Sequence, residues 1–408
     1  MNFAEAEGYL LSLGNEVTTM KLGLEGMRSL IQALGHPAAS IPKVQVAGTN
    51  GKGSVCAFLD SICCAAGART GLYTSPHLIS ITERIKIVGN DISEGDFARI
   101  ATFVKEQSGW LVERGELESV PTFFEQVTGI ALVAFAEAAV DLIILETGLG
   151  GRLDATTAAE AEIVALTRID LDHQEYLGDT IEEIAAEKAA IIRPGSRVVV
   201  GPQSTKAMNV IRRRCDECGV TPRLAETIEL PPVELGLRGC HQIENARIAV
   251  AVADEIKAEF PIDDRAILHG LSNARHAGRL EYDDIFLFDG AHNIGGAKAL
   301  ADYLDEFETR PITMIFGCMR DKQADAIARL LFHRAKHLIL TGASNSRSMP
   351  VEDLAAIAGD LSVDAYTAPD ARGAMQLATR LRLPNGIILV TGSLYLVGEI
   401  KKHLANAS

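Results

Sequence analysis

The sequence has no long run of uncharged apolar residues. The longest candidate, 127–145, contains Glu137 and Asp141, whereas a membrane-spanning helix needs about 20 residues with few or no charges. The pattern therefore predicts a buried helix followed by a buried strand. The first residues include Glu5 and Glu7 and no early Lys or Arg, unlike a secretory signal. We expect a cytoplasmic protein without a membrane partner.

Cysteines are few and odd in number. There are 7 in 408 residues, too sparse for a disulfide scaffold and typical of a reducing compartment. Cys215 and Cys218 form a C-x-x-C pair, but no second pair accompanies them. We interpret them as neighbouring thiols on a helix rather than as a metal site.

Basic residues are outnumbered by acidic ones. With 39 Lys and Arg against 54 Asp and Glu, the net charge is −15, which argues against a general electrostatic grip on nucleic acid. The net charge does not exclude a local basic pocket for an anionic ligand. The length predicts two or three domains at about 150 residues each.

The hydrophobic pattern alternates short β-branched runs with helical segments, which is typical of a largely parallel sheet covered by helices. Two such patterns are separated by a charged stretch without periodicity near 275–284. We therefore predict a domain at 1–278, a linker at 279–284 and a smaller α/β domain at 285–408.

The loop 48–54 (GTNGKGS) lies between a predicted strand and a predicted helix. Backbone N–H groups of such a loop and the lysine beside them are suited to bind phosphate. The Walker A pattern is not matched literally, because Gly53 separates Lys52 from Ser54. The alternative is a purely structural glycine-rich turn.

Polar side chains follow two further predicted strands. Glu146 ends the buried run 140–145, and the sequence 170–173 (DLDH) follows the strand at 163–167. Ligands of parallel sheets collect at the carboxyl ends of strands, and carboxylates there suit magnesium. Glu146 could equally be a solvated strand-end residue, and a lone histidine such as His173 is more often structural.

Lys188 occupies the apolar stripe of the helix predicted at 180–192. Its ammonium either reaches water along the surface or is desolvated beside an active site with a lowered pKa. The helix pattern alone favours neither.

The C-terminal α/β pattern has polar residues of its own after the strand at 285–288. Asp289, His292 and Asn293 follow this strand, the usual place for ligand contacts. Arg279 suits a charge clamp on a phosphoryl group, although a surface salt bridge is the simpler interpretation from position alone.

Ordered motifs along nearly the whole chain resemble the folylpolyglutamate synthase/dihydrofolate synthase family of the Mur ligase superfamily. They are LGLEGM (22–27), VAGTNGKGS (46–54), YTSPHL (73–78), ITERI (81–85), FFE (123–125), LETGLGGRLDAT (145–156), LDH (171–173), EKAAII (187–192), HQIENA (241–246), GR (278–279), FDGAHN (288–293), DK (321–322) and GSLYLVGE (392–399).

The resemblance implies a P-loop-type ATPase domain with a mostly parallel sheet and a smaller, Rossmann-like C-terminal α/β domain. It implies an ATP-dependent ligase that joins L-glutamate to dihydropteroate, to the γ-carboxylate of folates, or to both, through an acyl phosphate. ATP is then a substrate and Mg²⁺ binds at two sites; a K⁺ requirement occurs in part of the family. The other partners are small molecules, and we expect a monomer.

The resemblance also assigns roles to individual positions. The ATP-binding positions are Thr49, Asn50, Gly51, Lys52, Gly53, Ser54, Asn245, Arg279, Asp289 and His292. The magnesium positions are Ser54, Ser75, Glu146, His173 and Lys188, the last as a carbamylated lysine. Lys52, Lys188, His173 and Arg279 are the expected catalytic positions. The pterin or folate pocket corresponds to Thr82, Glu83, Phe123, Phe124 and Glu125.

Two positions depart from the family pattern, and two other classes compete with it. Ile294 stands where the family often has proline, and Ala190 where glycine is common.

A cell-wall Mur ligase carries an extra N-terminal domain of about 100 residues, too large for the segment before Gly48. A P-loop regulatory ATPase is the other alternative, and its turnover would not require both a pteroate and glutamate.

Overall fold

The computed structural model describes residues 1–14 and 23–405. The motif at 22–27 therefore begins at a residue outside the described part, since Leu22 is not described. The residues of the described part form two compact units, and each unit has its own sheet. The first unit comprises the described residues of Met1–His77, Ile81–Gly236 and Glu244–Ala274, and the second those of Leu78–Ser80, Leu237–Ile243 and Arg275–Ser408.

Strands and α-helices alternate along most of the described chain. The α-helices are α1 (Phe3–Ser12), α2 (Glu25–Ala33), α3 (Lys52–Ala65), α4 (Glu94–Glu113), α5 (Phe123–Glu137), α6 (Gln174–Leu177), α7 (Ile181–Ala189), α8 (Thr205–Cys218), α9 (His241–Glu255), α10 (Asp264–Asn273), α11 (Ile294–Phe307), α12 (Ala324–Leu331), α13 (Val351–Asp360), α14 (Ala371–Leu381) and α15 (Leu394–Ala405). The strands are β1 (Lys43–Ala47), β2 (Thr70–Tyr73), β3 (Ile85–Ile87), β4 (Asn90–Asp91), β5 (Leu142–Glu146), β6 (Ile163–Leu166), β7 (Arg197–Val200), β8 (Arg223–Leu224), β9 (Glu281–Asp283), β10 (Phe286–Phe288), β11 (Ile312–Phe316), β12 (His337–Leu340), β13 (Ala365–Thr367) and β14 (Ile387–Thr391).

The first unit is built on an eight-stranded sheet in the order β4-β3-β2-β5-β1-β6-β7-β8. The strands from β2 to β8 in this order are parallel, and β3 and β4 add antiparallel pairs at one edge. The central strands β1, β5 and β6 are buried throughout. This burial explains why they read as continuous apolar runs and confirms the predicted α/β architecture.

The second unit has a six-stranded sheet in the order β13-β12-β11-β14-β10-β9. Its strands are parallel except for β9, which pairs antiparallel with β10. Helix α11 follows β10, and α15 follows β14. The smaller C-terminal α/β pattern that the sequence indicates is thus a parallel sheet with helical connections.

The linker predicted at 279–284 is wrong for its central residues. Glu281–Asp283 form β9, and Tyr282 pairs with Leu287 of β10. The Tyr282 hydroxyl donates a hydrogen bond to Glu308 (2.8 Å), and Lys401 donates one to Glu281 (2.5 Å). An edge strand that exposes charged side chains lacks the apolar alternation by which strands are recognised.

Candidate active site

The loop after β1 is held in a conformation that only small residues permit. Gly48 has φ +152°, and a Cβ there would lie 1.8 Å from the Thr167 hydroxyl oxygen. Gly51 has φ +92°, and its Cβ would lie 2.3 Å from Oδ1 of Asn245. The loop therefore packs directly against α9 and the end of β6. Both glycines are required by this close approach and by their backbone angles.

Thr49 and Asn50 form hydrogen bonds within the protein through their backbone N–H groups and through their side chains. Both backbone N–H groups donate to the Arg168 carbonyl, at 2.8 and 3.3 Å. The Thr49 hydroxyl donates to the Asp170 carbonyl (3.0 Å), and the Asn50 amide donates to the Asp170 carboxylate (3.2 Å). These contacts fix the loop to the residues after β6.

Helix α3 begins at Lys52, directly after this anchored loop. The first N–H groups of a helix have no acceptor within it and carry the positive end of its dipole. The Lys52 ammonium donates to the Thr49 carbonyl (3.2 Å). Backbone amides and one lysine thus stand at the same helix start, which suits phosphate oxygens.

Lys188 lies inside the protein. Its side chain is 5% exposed, and its ammonium donates to the Gly48 carbonyl at 2.9 Å. Burial, and secondarily the charge of Lys52, lower the pKa of Lys188 to about 7. The interpretation that its ammonium reaches water is therefore wrong: the apolar stripe of α7 turns this amine toward the phosphate loop.

Glu146 ends β5 beside the phosphate loop. It pairs in register with Val46 of β1, is 5% exposed, and accepts a hydrogen bond from the Ser75 N–H at 3.1 Å. Ser54, in the first turn of α3, is also buried. The interpretation of Glu146 as a solvated strand-end residue is wrong, because only 5% of the residue is exposed.

His173 lies after β6 in the left-handed region, with φ 50°. Its N–H donates to the Asp172 carboxylate (2.9 Å), and its Nε2 lies 4.0 Å from the other carboxylate oxygen. Asp172 also acts electrostatically on Lys188 and favours its charged form. The sequence singled out His173, and the structure adds Asp172, which binds the His173 N–H and whose charge acts on Lys188.

Asp154 and Gln45 organise the loop after β5, and sequence reasoning assigned neither a role. Asp154 is buried and accepts hydrogen bonds from the N–H groups of Gly148 and Leu149, each at 2.9 Å. The Gln45 amide nitrogen lies within hydrogen-bond distance of three threonine hydroxyls, among them Thr147 at 3.1 Å. The sequence feature that indicates this network is a glutamine within the apolar strand β1, because a buried polar side chain needs hydrogen-bond partners.

The second unit brings Arg279, Asp289 and His292 into one neighbourhood. Asp289 is 8% exposed and accepts the N–H groups of Leu280 and Ala291, each at 3.0 Å. Burial raises the pKa of Asp289, and the Arg279 charge opposes this rise. Nδ1 of His292 lies 2.7 Å from the Gly290 carbonyl, which can only accept, so Nδ1 carries a proton.

The predicted pterin region is formed by a 3₁₀ turn and the start of α5. Thr82 and Glu83 lie in the turn Ile81–Arg84. Phe124 packs on Tyr73 (5.8 Å between ring centroids), and the Arg84 guanidinium lies 5.2 Å from the Phe123 ring centroid.

Glu125 forms a capping box with Thr122 at the start of α5. Its carboxylate accepts the Thr122 N–H at 2.8 Å, while its own N–H donates to the Thr122 hydroxyl. The Glu125 carboxylate is thus engaged with the start of its own helix.

The donor set around the phosphate loop fits a magnesium ion. Glu146 offers a carboxylate, and Ser54 and Ser75 offer hydroxyls, whereas magnesium characteristically takes one or two carboxylates together with water and substrate phosphates. Among residues 1–14 and 23–405 there is no cluster of three or more His, Cys, Asp and Glu arranged to hold a metal. A second ion at His173 and Lys188 would need an anionic form of the lysine, since an ammonium is not a ligand.

Comparison with known proteins defines the class first. A model of the Mur ligase middle domain matches residues 46–217, and a model of the Mur ligase glutamate ligase domain matches 278–394. These two ranges contain the phosphate loop, Glu146, Lys188 and the Asp289 neighbourhood. The class is therefore that of the Mur ligases.

Similarity to individual proteins identifies the family within the Mur ligase class. A dihydrofolate synthase/folylpolyglutamate synthase of Bacillus subtilis is 34% identical, covering 94% of this chain and 95% of that protein. The Mycobacterium tuberculosis folylpolyglutamate synthase complexed with ADP and AMPPCP is 30% identical, with a TM-score of 0.90 over 98% of both chains. A Yersinia pestis bifunctional folylpolyglutamate synthase/dihydrofolate synthase with Mn, AMPPNP and L-glutamate bound is 29% identical, with a TM-score of 0.86 over 99% of this chain and 98% of that one.

The chain belongs to the folylpolyglutamate synthase/dihydrofolate synthase family of ligases. It spans about half the length of two other relatives, probable bifunctional folylpolyglutamate synthase/dihydropteroate synthases of Haloferax volcanii and Halobacterium salinarum, at 50% and 51%. Within the described ranges, none of the helices combines the length and apolar character needed to cross a membrane.

Proposed function

We propose that this protein joins the amine of L-glutamate to a carboxylate of dihydropteroate, of a folate, or of both, at the expense of ATP. One observation carries the proposal: the buried Lys188 amine and the Glu146 carboxylate flank an anchored phosphate loop that opens directly into α3. Named relatives of both specialisations support the acceptor class.

The proposed reaction has two chemical steps. The acceptor carboxylate attacks the γ-phosphorus of ATP, which gives an acyl phosphate and ADP. The glutamate amine then attacks the acyl carbon, and the tetrahedral intermediate expels phosphate and leaves the amide. Both steps need charge neutralisation and alignment more than an enzyme nucleophile.

In the first unit, the proposed roles follow from position. The N–H groups of Gly51, Lys52 and Gly53 and the Lys52 ammonium neutralise the β- and γ-phosphates. Thr49 and Asn50 act by anchoring the loop, because their side chains bind Asp170. Asn245 packs on Gly51 and shapes the nucleotide side of the loop.

We also propose two divalent metal ions. Ser54, Ser75 and Glu146 would hold the first ion, and His173 and Lys188 would hold the second. The ions supply positive charge at the phosphoryl oxygens when bound. Lys188 would serve as a carbamate, formed when its neutral amine bonds to CO₂ and releases a proton. Its burial among protein groups, rather than at the surface, supports this form.

The remaining assignments concern the second unit and the acceptor pocket. Arg279, Asp289 and His292 are proposed to bind ATP, with Asp289 fixed by two backbone N–H groups. Thr82, Glu83, Phe123 and Phe124 are proposed to line the pterin pocket, with Glu125 shaping it through the α5 cap. A monomeric, cytoplasmic enzyme completes the proposal.

The experiment is ADP release with Mg-ATP and L-glutamate, with dihydropteroate or tetrahydrofolate as acceptor. Turnover with both acceptors indicates a bifunctional enzyme, and turnover with one indicates a specialised one. ATP hydrolysis at the same rate without an acceptor would contradict the proposal and favour a regulatory ATPase.

A further inference from the structure

The connection between β2 and β3 carries Ser75 on one arm and the 3₁₀ turn of the pterin region on the other. Tyr73 pairs with Ile85, and the Thr74 N–H donates to the Arg84 carbonyl at 3.0 Å, which closes the base of the loop. Near this base, the Ser75 N–H donates to Glu146. The placement of the Ser75 arm therefore bears directly on the Glu146 carboxylate.

The Arg84 side chain runs across this loop. It is 3% exposed, and its Nε donates to Nδ1 of His77 at 2.7 Å. Since Nδ1 accepts, the proton of the imidazole is on Nε2. The guanidinium carbon also lies over the Phe123 ring, at 5.2 Å from its centroid. One buried side chain thus contacts both the arm that carries Ser75 and the first residue of α5.

These contacts form a continuous series of packed or hydrogen-bonded groups. It runs from Phe123 to Arg84, from Arg84 to His77, along the backbone to Ser75, and from Ser75 to Glu146. Such a series can transmit a displacement at one end to the other, because Phe123, Arg84 and Glu146 are buried and the two hydrogen bonds that join them through the loop are directional. A salt bridge to a surface carboxylate would not have this property.

We propose that Arg84 is a positioning residue that couples the acceptor pocket at Phe123 to the metal and phosphate end at Glu146, through its hydrogen bond to His77. This inference rests on the proposed function, which supplies the roles of the two ends. It adds that the acceptor and the metal nucleotide bind cooperatively, and that this cooperativity depends on Arg84 and His77. By linkage, each ligand then raises the affinity for the other by the same factor.

The test is the effect of dihydropteroate on the affinity for Mg·ADP, measured by titration calorimetry. We expect dihydropteroate to tighten Mg·ADP binding by about fivefold or more in the unaltered protein. Arg84→Lys keeps the charge but loses the planar fork, and His77→Ala removes the acceptor. Both should reduce the factor to near one, whereas Mg·ADP affinity without dihydropteroate should change less.

Matched variants distinguish positioning from general damage. In His77→Asn the side-chain oxygen takes approximately the place of Nδ1, so the variant should retain most of the coupling, while His77→Gln should not. Arg99→Met is the control, because Arg99 makes exposed ion pairs with Asp96 and Glu137 on the same unit. It should leave the coupling unchanged.

A double-mutant cycle gives the second readout. If Arg84 and His77 act through one contact, Arg84→Lys/His77→Ala should lose no more coupling than either single variant. Additive losses, or full coupling in His77→Ala, would overturn the inference. The result is independent of turnover: absence of ligase activity in the unaltered protein overturns the proposed function, whereas activity with no coupling overturns this inference alone. If Arg84 variants do not fold, the three His77 variants decide the matter.

Discussion

Lys188 shows most directly how a single residue links sequence to chemistry. Its place on an apolar helical stripe was visible in the sequence, but two interpretations fitted equally well. The structure decides between them, because the ammonium donates to the Gly48 carbonyl inside the protein. A buried amine with a lowered pKa is neutral for part of the time at ordinary pH, which its proposed conversion to a carbamate requires.

Replacement of Lys188 by alanine should lower kcat/KM by about 100-fold or more, on the scale reported for lost metal-site groups. Added formate or acetate should restore part of this activity, because a small carboxylate can occupy the vacated position. ADP release is the measurement. Lys206→Ala is the control, since Lys206 is exposed and pairs with Glu182. Normal turnover in Lys188→Ala would disprove the assignment.

Replacement of Glu146 by alanine should raise the magnesium concentration for half-maximal activity by about tenfold or more. Glu146→Gln should do the same while it keeps an acceptor for the Ser75 N–H, which separates loss of charge from loss of the hydrogen bond. Glu137→Gln, at an exposed ion pair with Arg99, provides the control. An unchanged magnesium dependence in both Glu146 variants would refute the ligand role.

At the scale of elements, capping decides where the site helices begin. Helices α5 and α7 both start with a capping box, formed by Thr122 with Glu125 and by Thr180 with Glu183. Reciprocal hydrogen bonds of this kind satisfy N–H groups that the helix itself leaves without acceptors. Because α5 begins at Phe123, its cap also sets the position of the predicted pterin residues.

Loss of the α5 cap should affect stability more than binding. Thr122→Ala should lower the free energy of unfolding by about 1 kcal/mol, measured by urea denaturation, with the acceptor KM nearly unchanged. Thr379→Ala, at an exposed position within α14, should have little effect. A large rise in acceptor KM without a loss of stability would instead make this turn a direct substrate contact.

The elements that sequence reasoning missed are short or at the edges of sheets. β3, β4, β8, β9 and β13 have two or three residues each. Such strands bury little, so neither apolar runs nor alternation marks them. The buried strands β1, β5 and β6 were predicted within one or two residues, because burial on both faces requires an apolar run.

At the scale of the whole molecule, buried ionisable groups make stability depend on pH. His241 lies beside Arg279 in the second unit, and burial together with this charge lowers its pKa to about 4. The unfolded chain, with an ordinary histidine pKa of about 6.5, binds more protons between these values. The contribution of His241 is therefore fully present above pH 6.5 and is lost as the pH falls toward 4.

We expect His241→Gln to flatten this part of the stability profile. The loss between pH 6.5 and 4 should be smaller in the variant by about 3 kcal/mol or less, from urea denaturation at a series of pH values. His403→Gln is the control, at a histidine of α15. Identical profiles for the variant and the unaltered protein would show that His241 titrates normally in the folded state.

The sequence by itself determined the α/β class, the central strands, the phosphate loop and the family, because these depend on local pattern: apolar runs, glycines at fixed spacing and caps. Only the tertiary structure decided that Lys188 is buried against Gly48, that Asp172 binds the His173 N–H and acts on Lys188 through its charge, that Arg84 joins His77 to Phe123, and that 281–283 form an edge strand. The Lys188–Gly48 and Arg84–Phe123 contacts join residues distant in sequence, and the edge strand is stabilised by its neighbour β10. Such contacts arise from packing, which the periodicity of one segment does not encode.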